Sequence, residues 1–515
     1  MVKLMSKVKN AYKEIENIIG TDFISDKDYV KAAYSRNVDP AFPDRWADMI
    51  VRPETTEEVS EIVRIANKYK IHMVPRGGGA DLVGGSVSEG GILIDLTRMN
   101  KILEVNEDDY YCVVECGVTW GALLSEVHPR GYTTGVTGPG SGFSATIGGG
   151  LSNSTAGGGS CKYGLVPDIC LGVEVALPNP QGTIIRTGAA ANRYAAPFCR
   201  YGVAPDFTGL FMGDVGTLGI KTKAFLKLFP EPPFKKNLMY ILNKNDFQKV
   251  FELSHEVRKW VNDGLLGMSF VPVFLLQMMA AQVKEKPAKR PRLKGPLCAI
   301  TLEATDERII EVYVEKVNEI MTKDNVARPF DLREINPTLE IPEKWTYKMK
   351  NLFNYFHPLI SVAPSKLTCT TCHKIPFSSM EEISKKAPAF DIKHKKEFQP
   401  GSLSLWAGVI AVLPNGNFVV VGGFNANNVE EQRENSMKLW HKKLHHQVKY
   451  GGVHYWLGES ISQSIVEADA YTPEFMQFFK DIKKTVDPNF LLSPNKFHLH
   501  SYDDDYTKYL VKDEE

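Results

Sequence analysis

Two glycine-rich stretches decide the fold: PRGGGADLVGG, from Pro75 to Gly85, and GPGSGFSATIGGGLSNSTAGGGSCKYG, from Gly138 to Gly164. Glycine adopts positive φ without steric cost and lets a backbone approach a ligand closely. Loops of this kind can present successive N–H groups to an anion such as a pyrophosphate. Each stretch follows a short apolar run, so the pair predicts a large phosphate-bearing cofactor held from two sides. The alternative is that the glycines only make tight turns.

Length and charge narrow the class of protein. A chain of 515 residues is too long for one ordinary core, so two or more domains are expected. Lys+Arg and Asp+Glu are both 61, and this zero net charge gives no indication of nucleic-acid binding. The N-terminal sequence lacks the apolar core of a signal peptide, so the eight cysteines are expected to be thiols.

The first twenty residues predict an amphipathic helix that docks onto another surface. Leu4, Val8, Tyr12, Ile15 and Ile18 fall on one helical face. No apolar run in the sequence is long enough to span a bilayer. We therefore expect a cytoplasmic protein, either free or held at a membrane through a partner.

The proline-rich stretch at residues 230–233 marks the best domain boundary. Before it, strand-like and helical patterns alternate with glycine-rich loops. Beyond it glycine becomes sparse, and helical patterns alternate with β-branched runs, which predicts a second, α+β domain.

Three motifs stand in order along the chain: ATIGG, AGGG and KYG within residues 145–164, GLFMGDVGTLGI at 209–220, and DPNFLLSPNK at 487–496. They resemble the second flavin loop, the GLFxGxxGTLGI signature and the DPxxxLNPGK ending of one protein superfamily. This is the vanillyl-alcohol-oxidase and p-cresol-methylhydroxylase (PCMH) superfamily, and the glycolate oxidase and D-lactate dehydrogenase branch is the most similar. The match covers about residues 40–232 and 475–497.

The resemblance implies an α+β fold with a two-lobed FAD-binding domain of the PCMH type and an α+β cap, in which helices flank an antiparallel sheet. Residues 1–232 and the returning residues 475–515 would form the FAD-binding domain, and residues 233–474 the substrate-binding cap. The resemblance implies FAD bound without a Rossmann GxGxxG motif. We expect noncovalent binding, because the first-loop position that carries a covalent histidine in some members is Ala80 here.

The resemblance also places FAD along three segments of the chain. The residues expected to bind it are Pro75, Arg76, Gly77, Gly78, Gly79, Ala80 and Asp81 in the first loop; Gly138, Pro139, Ser144, Ala145, Thr146, Gly148, Gly149, Gly158, Tyr163 and Gly164 in the second; and Gly213, Gly216, Gly219 and Ile220 in the third.

Two departures make the chain intermediate between branches. The HxGDGNxH metal motif, common in the cap of the glycolate/lactate branch, is missing, and the nearest string, PNGN at 414–417, lacks both histidines. In addition, residues 198–206 resemble a stretch of the phenol-oxidising branch.

The function that the resemblance implies first is dehydrogenation of a 2-hydroxy acid, similar to D-lactate or glycolate. A hydride would pass to flavin N5 and the electrons to a protein or membrane acceptor. Oxidation of a phenolic or other alcohol stays open, as does a role as the flavin-bearing electron-transfer subunit of a larger complex. Whether the chain forms an oligomer also stays open.

The string GGVHYWLGES at 451–460 holds the catalytic candidates, because the family brings cap residues of this region to the flavin edge. Dehydrogenation needs a base for the hydroxyl proton while the α-hydrogen leaves as hydride. We expect His454 to be that base, with Tyr455 and Glu459 as orienting partners; the alternative is that His454 only packs. A carboxylate substrate would need a cation such as Arg333.

Two strings carry metal-ligating residue types. Cys369, Cys372 and His373 form a CxxCH string, a spacing that attaches c-type haem in exported proteins or supplies zinc and iron ligands. The alternative is two thiols near a turn. His441 and His445, four residues apart, share a helical face, which suits either a metal or a solvated basic helix.

Overall fold

The structure is a computed structural model that describes residues 2–35, 45–244, 246–271, 293–334, 366–398, 403–405, 409–427, 429–449 and 451–511. In these ranges the α-helices are α1 (Val2–Ile19), α2 (Asp28–Tyr34), α3 (Thr56–Tyr69), α4 (Trp120–Val127), α5 (Ile147–Ser152), α6 (Ser160–Tyr163), α7 (Phe247–Val261), α8 (Glu307–Thr322), α9 (Met380–Lys393), α10 (Glu430–Val448), α11 (Glu459–Glu467) and α12 (Pro473–Val486).

The strands of the same ranges are β1 (Ile24–Ser25), β2 (Met49–Val51), β3 (Met73–Arg76), β4 (Ile92–Asp95), β5 (Ile102–Asn106), β6 (Tyr111–Glu115), β7 (Tyr132–Thr133), β8 (Cys170–Ala176), β9 (Ile184–Arg186), β10 (Ile220–Lys227), β11 (Phe229–Pro230), β12 (Phe234–Leu242), β13 (Leu265–Val271), β14 (Leu297–Ala304), β15 (Ala327–Pro329), β16 (Lys366–Ile375), β17 (Leu403–Leu405), β18 (Val409–Val412), β19 (Phe418–Asn427) and β20 (Val453–His454). None of the described helices has the length and apolar character needed to cross a bilayer.

The first lobe is a four-stranded sheet with α1 and α3 against it. The strand order is β1-β2-β4-β3, and both β2 and β3 run parallel to β4. Helix α3 begins at Thr55, whose side chain accepts a hydrogen bond from the Glu58 N–H and so satisfies one exposed donor of the first turn. Its Val59, Ile62 and Val63 are fully buried. Strand β3 ends at Arg76, so this lobe delivers the first glycine loop.

Helix α1 covers the core of its own chain. Ala11 and Ile15 are fully buried against the first lobe, and Ile19 is nearly so. The Lys68 ammonium of α3 lies 2.7 Å from the Glu14 carboxylate of α1. The predicted docking helix therefore docks onto its own chain, and Val8, Tyr12 and Ile18 of the predicted face also pack against this core.

The second lobe is an antiparallel sheet with the order β5-β6-β10-β8-β9. Cys112 and Cys116 are both buried in its core, as their even spacing predicts. All eight cysteines are free thiols in the structure, which confirms that prediction. The loop that contains Gly213, Gly216 and Gly219 runs directly into β10, so this lobe delivers the third glycine segment.

Beyond the proline-rich stretch at 230–233 the described chain forms two antiparallel sheets, where the sequence predicted one. One has the order β13-β14-β12-β15, and α7 and α8 pack against it. The other has the order β17-β19-β16-β20, with β18 also paired to β19. The predicted α+β class is confirmed.

The C-terminal segment returns to the first two lobes. Phe479, Ile482 and Val486 of α12 pack against the core of the second lobe. Downstream, Met73 of β3 donates to the Leu491 carbonyl at 2.8 Å and accepts from the Ser493 N–H at 2.8 Å. The segment thus extends the edge of the first sheet beside the first glycine loop.

Candidate functional site

One cleft brings the three glycine-bearing segments together. Fourteen of the residues that the resemblance places at FAD line it: Pro75, Arg76, Gly77, Gly78, Gly79, Ala80, Asp81, Pro139, Ala145, Thr146, Gly148, Gly149, Gly216 and Gly219. Residues that sequence reasoning missed also line it: Ser86, Leu96, Cys116, Asn153, Thr155, Val215, Lys221 and Trp456 among them. Several of these adjoin the motifs in sequence, but nothing in their own residue type singled them out.

The first and second loops approach each other so closely that no side chain fits between them. A Cβ on Gly78 would lie 1.7 Å from the Ser144 carbonyl oxygen, and one on Gly77 would lie 2.1 Å from Thr146 Oγ1. Gly79 has φ of +63°, a left-handed conformation that disfavours other residues. Within the described chain, no group accepts a hydrogen bond from the N–H of Gly77 or Gly78. The loop therefore offers backbone donors at the cleft, as an anion cradle requires.

Asp81 holds the far end of the first loop in shape. One carboxylate oxygen accepts from the Gly85 N–H at 2.7 Å and the Val83 N–H at 3.2 Å. The other accepts a hydrogen bond from the Ser86 hydroxyl. These hydrogen bonds stabilise the Asp81 carboxylate and hold the turn that ends the first loop.

Two buried lysines of the C-terminal segment, one in α12 and one in the DPNFLLSPNK motif, fix the third loop. Lys483 Nζ donates to the Thr217 carbonyl at 2.7 Å and lies 2.7 Å from Asp487 Oδ2, with both side chains fully buried. Lys496 Nζ donates to the carbonyls of Gly85 at 2.8 Å and Val215 at 2.6 Å. Burial lowers the pKa of both lysines, that of Lys496 to about 8. Lys496 therefore ties the first loop to the third, a role that only its place in the DPNFLLSPNK motif could have suggested.

A buried ion pair lies beneath the same loop. Lys221 Nζ is 2.6 Å from Asp214 Oδ1, and both side chains are almost fully buried. Asp214 also accepts hydrogen bonds from the N–H groups of Gly216 and Leu218. Since Lys221 lines the cleft, the pair brings a cation to its wall while its partner shapes the loop.

Seven residues expected at FAD support the loops without lining the cleft: Gly138, Ser144, Gly158, Tyr163, Gly164, Gly213 and Ile220. Gly138 shows why such positions matter, because it has φ of +74° and a Cβ there would lie 2.2 Å from the Trp120 ring. Tyr163 donates to Glu303 Oε1 at 2.9 Å, and burial raises the pKa of its phenol. It links the second loop to strand β14 instead of closing the loop over a ligand.

Adjacent residues in the 451–460 string face opposite ways, because side chains alternate along a strand. His454 pairs with His373 across β20 and β16, and their rings lie 4.4 Å apart. His454 is buried and is not among the residues that line the cleft. Burial lowers its pKa to about 3, so it would be a poor proton acceptor at neutral pH. The structure thus favours the alternative that His454 packs.

Tyr455 points the other way and lines the cleft. Its hydroxyl oxygen lies 2.5 Å from the backbone nitrogen of Ala156, from which it accepts, and 3.3 Å from the Ala156 carbonyl oxygen. Burial raises the pKa of the phenol, which keeps it neutral. Tyr455 and the neighbouring Trp456 bring the second antiparallel sheet to the cofactor loops.

The other predicted polar groups lie outside the cleft. Glu459 begins α11, and its carboxylate is 3.5 Å from Arg45 Nη2. Burial raises the pKa of Glu459. Arg333 is exposed and pairs with Asp331 at 2.6 Å. Neither residue lines the cleft in the structure, so their predicted roles at a substrate have no geometric support.

The CxxCH string lies in strand β16, where a spacing of three places side chains on opposite faces. Cys369 packs beside Trp440, whereas Cys372 packs beside Tyr455. The structure therefore does not bring Cys369 and Cys372 together as ligands of one metal. His373 shares the face of Cys369 but packs against His454, with the two rings tilted by 42°. The PNGN string at 414–417 is the turn between β18 and β19.

The sequence of the chain matches a family model and several known oxidases and dehydrogenases. Residues 47–188 match the family model described as FAD binding domain. The chain is 33% identical over 239 residues to the glycolate oxidase subunit GlcD of Bacillus subtilis (strain 168), covering 46% of this chain and 48% of the relative. It is 26% identical over 453 residues to the mitochondrial D-lactate dehydrogenase [cytochrome] of Arabidopsis thaliana, covering 87% and 73%. The match to the Bacillus protein thus spans only about half of that relative's length.

The fold matches solved structures over nearly the whole chain. A crystal structure of p-cresol methylhydroxylase with substrate bound superposes with a TM-score of 0.76 at 17% identity, covering 97% of this chain and 98% of the other. The cleft and the family model together indicate an FAD-binding domain within this chain. The chain therefore has the fold of p-cresol methylhydroxylase, as the three motifs predicted, and its residues 47–188 match an FAD binding domain.

Proposed function

We propose that this chain is an FAD-dependent dehydrogenase of a 2-hydroxy acid similar to D-lactate or glycolate, and that it passes electrons to a protein or membrane acceptor. The observation that carries the proposal is the cleft itself: three glycine-bearing segments converge there in a chain whose relatives include a glycolate oxidase subunit and a D-lactate dehydrogenase. The Arabidopsis relative is named a D-lactate dehydrogenase [cytochrome], which supports a protein acceptor of electrons.

The residues present fit FAD. Gly77 and Gly78 would hold the pyrophosphate through their N–H groups, and Gly148 and Gly149 leave the opposite wall free of side chains. Ala80 lies at the cleft and cannot form a bond to a flavin, which supports noncovalent binding. When bound, FAD supplies the hydride acceptor that amino-acid side chains lack.

Three features of the chain would serve catalysis around that group. Lys496 holds two of the loops in one arrangement. Tyr455, anchored at Ala156, positions Trp456 and the second antiparallel sheet against the cofactor loops and excludes water from that wall. Lys221 and Asp214 form a buried ion pair at the cleft wall. The positive end of this pair, at Lys221, would contribute a local dipole at the site.

Anaerobic reduction of the bound flavin tests the proposal. The purified, FAD-loaded full-length chain is mixed with D-lactate, L-lactate, glycolate and 4-alkylphenols, and the oxidised flavin absorption is followed in a stopped-flow instrument. Bleaching by a 2-hydroxy acid, saturable and faster than by any phenol, is the expected result. Bleaching by 4-alkylphenols alone would overturn the substrate class and favour alcohol or phenol oxidation. No bleaching by any of them, with reduction by dithionite intact, would favour an electron-transfer subunit.

A further inference from the structure

A cluster of imidazole and carboxylate groups lies outside the cofactor cleft, where α10, the end of α11 and the C-terminal segment meet. His441 and His445 lie on one face of α10, and Glu467 is the last residue of α11. One ligand atom from each of the three lies within 4.8 Å of the other two. His498, in the C-terminal segment, contacts the same carboxylate. The FAD chemistry proposed above uses none of these groups.

Two of the distances within the cluster match those between ligands of one metal ion. Glu467 Oε2 is 3.4 Å from His441 Nδ1 and 3.4 Å from His445 Nε2. A charge-assisted N–H···O bond is shorter, about 2.7–2.9 Å. A tetrahedral zinc ion with ligand bonds of about 2.0–2.1 Å separates its ligand atoms by about 3.3–3.4 Å. Both measured separations therefore fit the edges of a zinc tetrahedron.

The bonding state of the atoms agrees with this geometry. His445 Nε2, the nitrogen that faces Glu467, is buried and has no hydrogen-bond partner among the described residues. The second carboxylate oxygen of Glu467, Oε1, instead lies 3.1 Å from His498 Nε2. A hydrogen bond from His498 would orient the carboxylate as outer-shell groups orient metal ligands. His498 is itself fixed by stacking on Tyr509, with ring centroids 3.8 Å apart.

The cluster is also accessible. The side chains of His441, His445 and Glu467 are 25%, 14% and 16% exposed, so an ion can enter from solvent and keep a water as fourth ligand. Two imidazoles and one carboxylate suit zinc, whereas calcium and magnesium prefer oxygen-only sites.

We propose that His441, His445 and Glu467 bind one zinc ion, with His498 as the residue that positions Glu467. The ion would hold helix α10 against the end of α11 and the C-terminal segment. It would thereby connect the chain beyond the proline-rich stretch at 230–233 to the returning C-terminal segment. The zinc site does not depend on the proposed substrate, because zinc binding can be measured whether or not a hydroxy acid reduces the flavin.

Metal content and zinc titration of the full-length, FAD-loaded protein test the proposal. The protein is stripped with EDTA, exchanged into zinc chloride, and measured by elemental analysis and isothermal titration calorimetry. We expect about one zinc per chain in the wild type and none above background in His441→Gln or His445→Gln. His498→Phe, which keeps an aromatic ring against Tyr509, should bind about ten- to a hundredfold more weakly.

His446→Gln is the matched control, because His446 lies on the same helix but is near the Lys386 carbonyl instead of Glu467. It should bind zinc as the wild type does. His441→Gln alters the most exposed of the three ligands, and its unchanged circular dichroism and FAD content would show that it folds. A wild type that takes up no zinc, or ligand variants that take up as much as His446→Gln, would overturn the site and leave an ion-pair cluster.

Discussion

Lys496 Nζ lies 2.6 Å from the carbonyl oxygen of Val215, 281 residues earlier in the chain, and donates a hydrogen bond to it. The same ammonium donates to the Gly85 carbonyl at 2.8 Å. One buried cation from the C-terminal segment therefore holds the first and third cofactor loops at a fixed separation. The relationship explains why a motif at residues 487–496 accompanies glycine loops so far from it in sequence.

Replacing Lys496 should weaken FAD binding without removing a cofactor contact. Lys496→Met leaves the carbonyls of Gly85 and Val215 without their donor, and hydrogen bonds to charged groups contribute about 1.5–3 kcal/mol. We expect FAD affinity to fall about tenfold or more, measured by quenching of flavin fluorescence. Lys480→Met is the control, because Lys480 donates to the Asp504 carbonyl, outside the cofactor loops. Equal affinities in the two variants would contradict the assigned role.

The depressed pKa of Lys496 predicts a pH dependence with a definite sign. Its pKa is about 8 in the folded protein and 10.5 in the reference state, so between these values the unfolded chain binds more protons. Stability contributed by this group therefore rises as pH increases from 8 to 10.5, and is lost as pH falls through 8. As pH rises from 8 to 10.5, the unfolding free energy of the wild type should therefore increase relative to that of Lys496→Met, by on the order of 3 kcal/mol. Urea unfolding at several pH values checks this; a flat difference would refute it.

Substitution of Gly149 should change folding stability and cofactor binding in opposite directions. It lies in α5 at the cleft, and a Cβ there would meet only Thr146 Oγ1, at an ordinary 3.4 Å. Gly149→Ala should therefore stabilise the cofactor-free chain by about 0.5–1 kcal/mol, as alanine does within helices. The added methyl group would project into the space needed by FAD, so loading should fall. Gly267→Ala on β13, with a similarly open position, should leave loading unchanged. Full loading of Gly149→Ala would show that FAD does not approach this wall.

The fold could be predicted from the sequence to the level of loops and lobes, because glycine clusters and the GLFMGDVGTLGI and DPNFLLSPNK strings are local patterns. Fourteen of the predicted cofactor residues line the cleft for this reason. Features that depend on contacts between distant parts of the chain could not be predicted from the sequence. The apolar face of α1 indicates burial, but nothing in residues 2–19 says whether α3 or another protein covers it.

The structure separates the catalytic candidates, because Tyr455 lines the cleft whereas His454 does not. In β20 and β16 the direction of a side chain depends on strand register, which a single sequence does not specify. A shift by one residue would have exchanged the faces of His454 and Tyr455, and of Cys372 and His373. The i, i+4 pair His441 and His445 could be placed on one face of a helix, but Glu467 and His498 could not be foreseen beside it.

The opposite orientations of Tyr455 and His454 lead to the last prediction. Tyr455→Phe removes the acceptor of the buried Ala156 N–H, which should cost about 1–3 kcal/mol of stability and loosen the contact between β20 and the second cofactor loop. We expect flavin reduction in this variant to slow, measured as the anaerobic rate constant per bound FAD with the best substrate. His454→Ala is the matched comparison, since it removes the neighbouring ring on the face turned away from the cleft. It should lower the melting temperature but leave the rate constant per bound FAD unchanged. A rate that falls in His454→Ala and not in Tyr455→Phe would restore the histidine as the base.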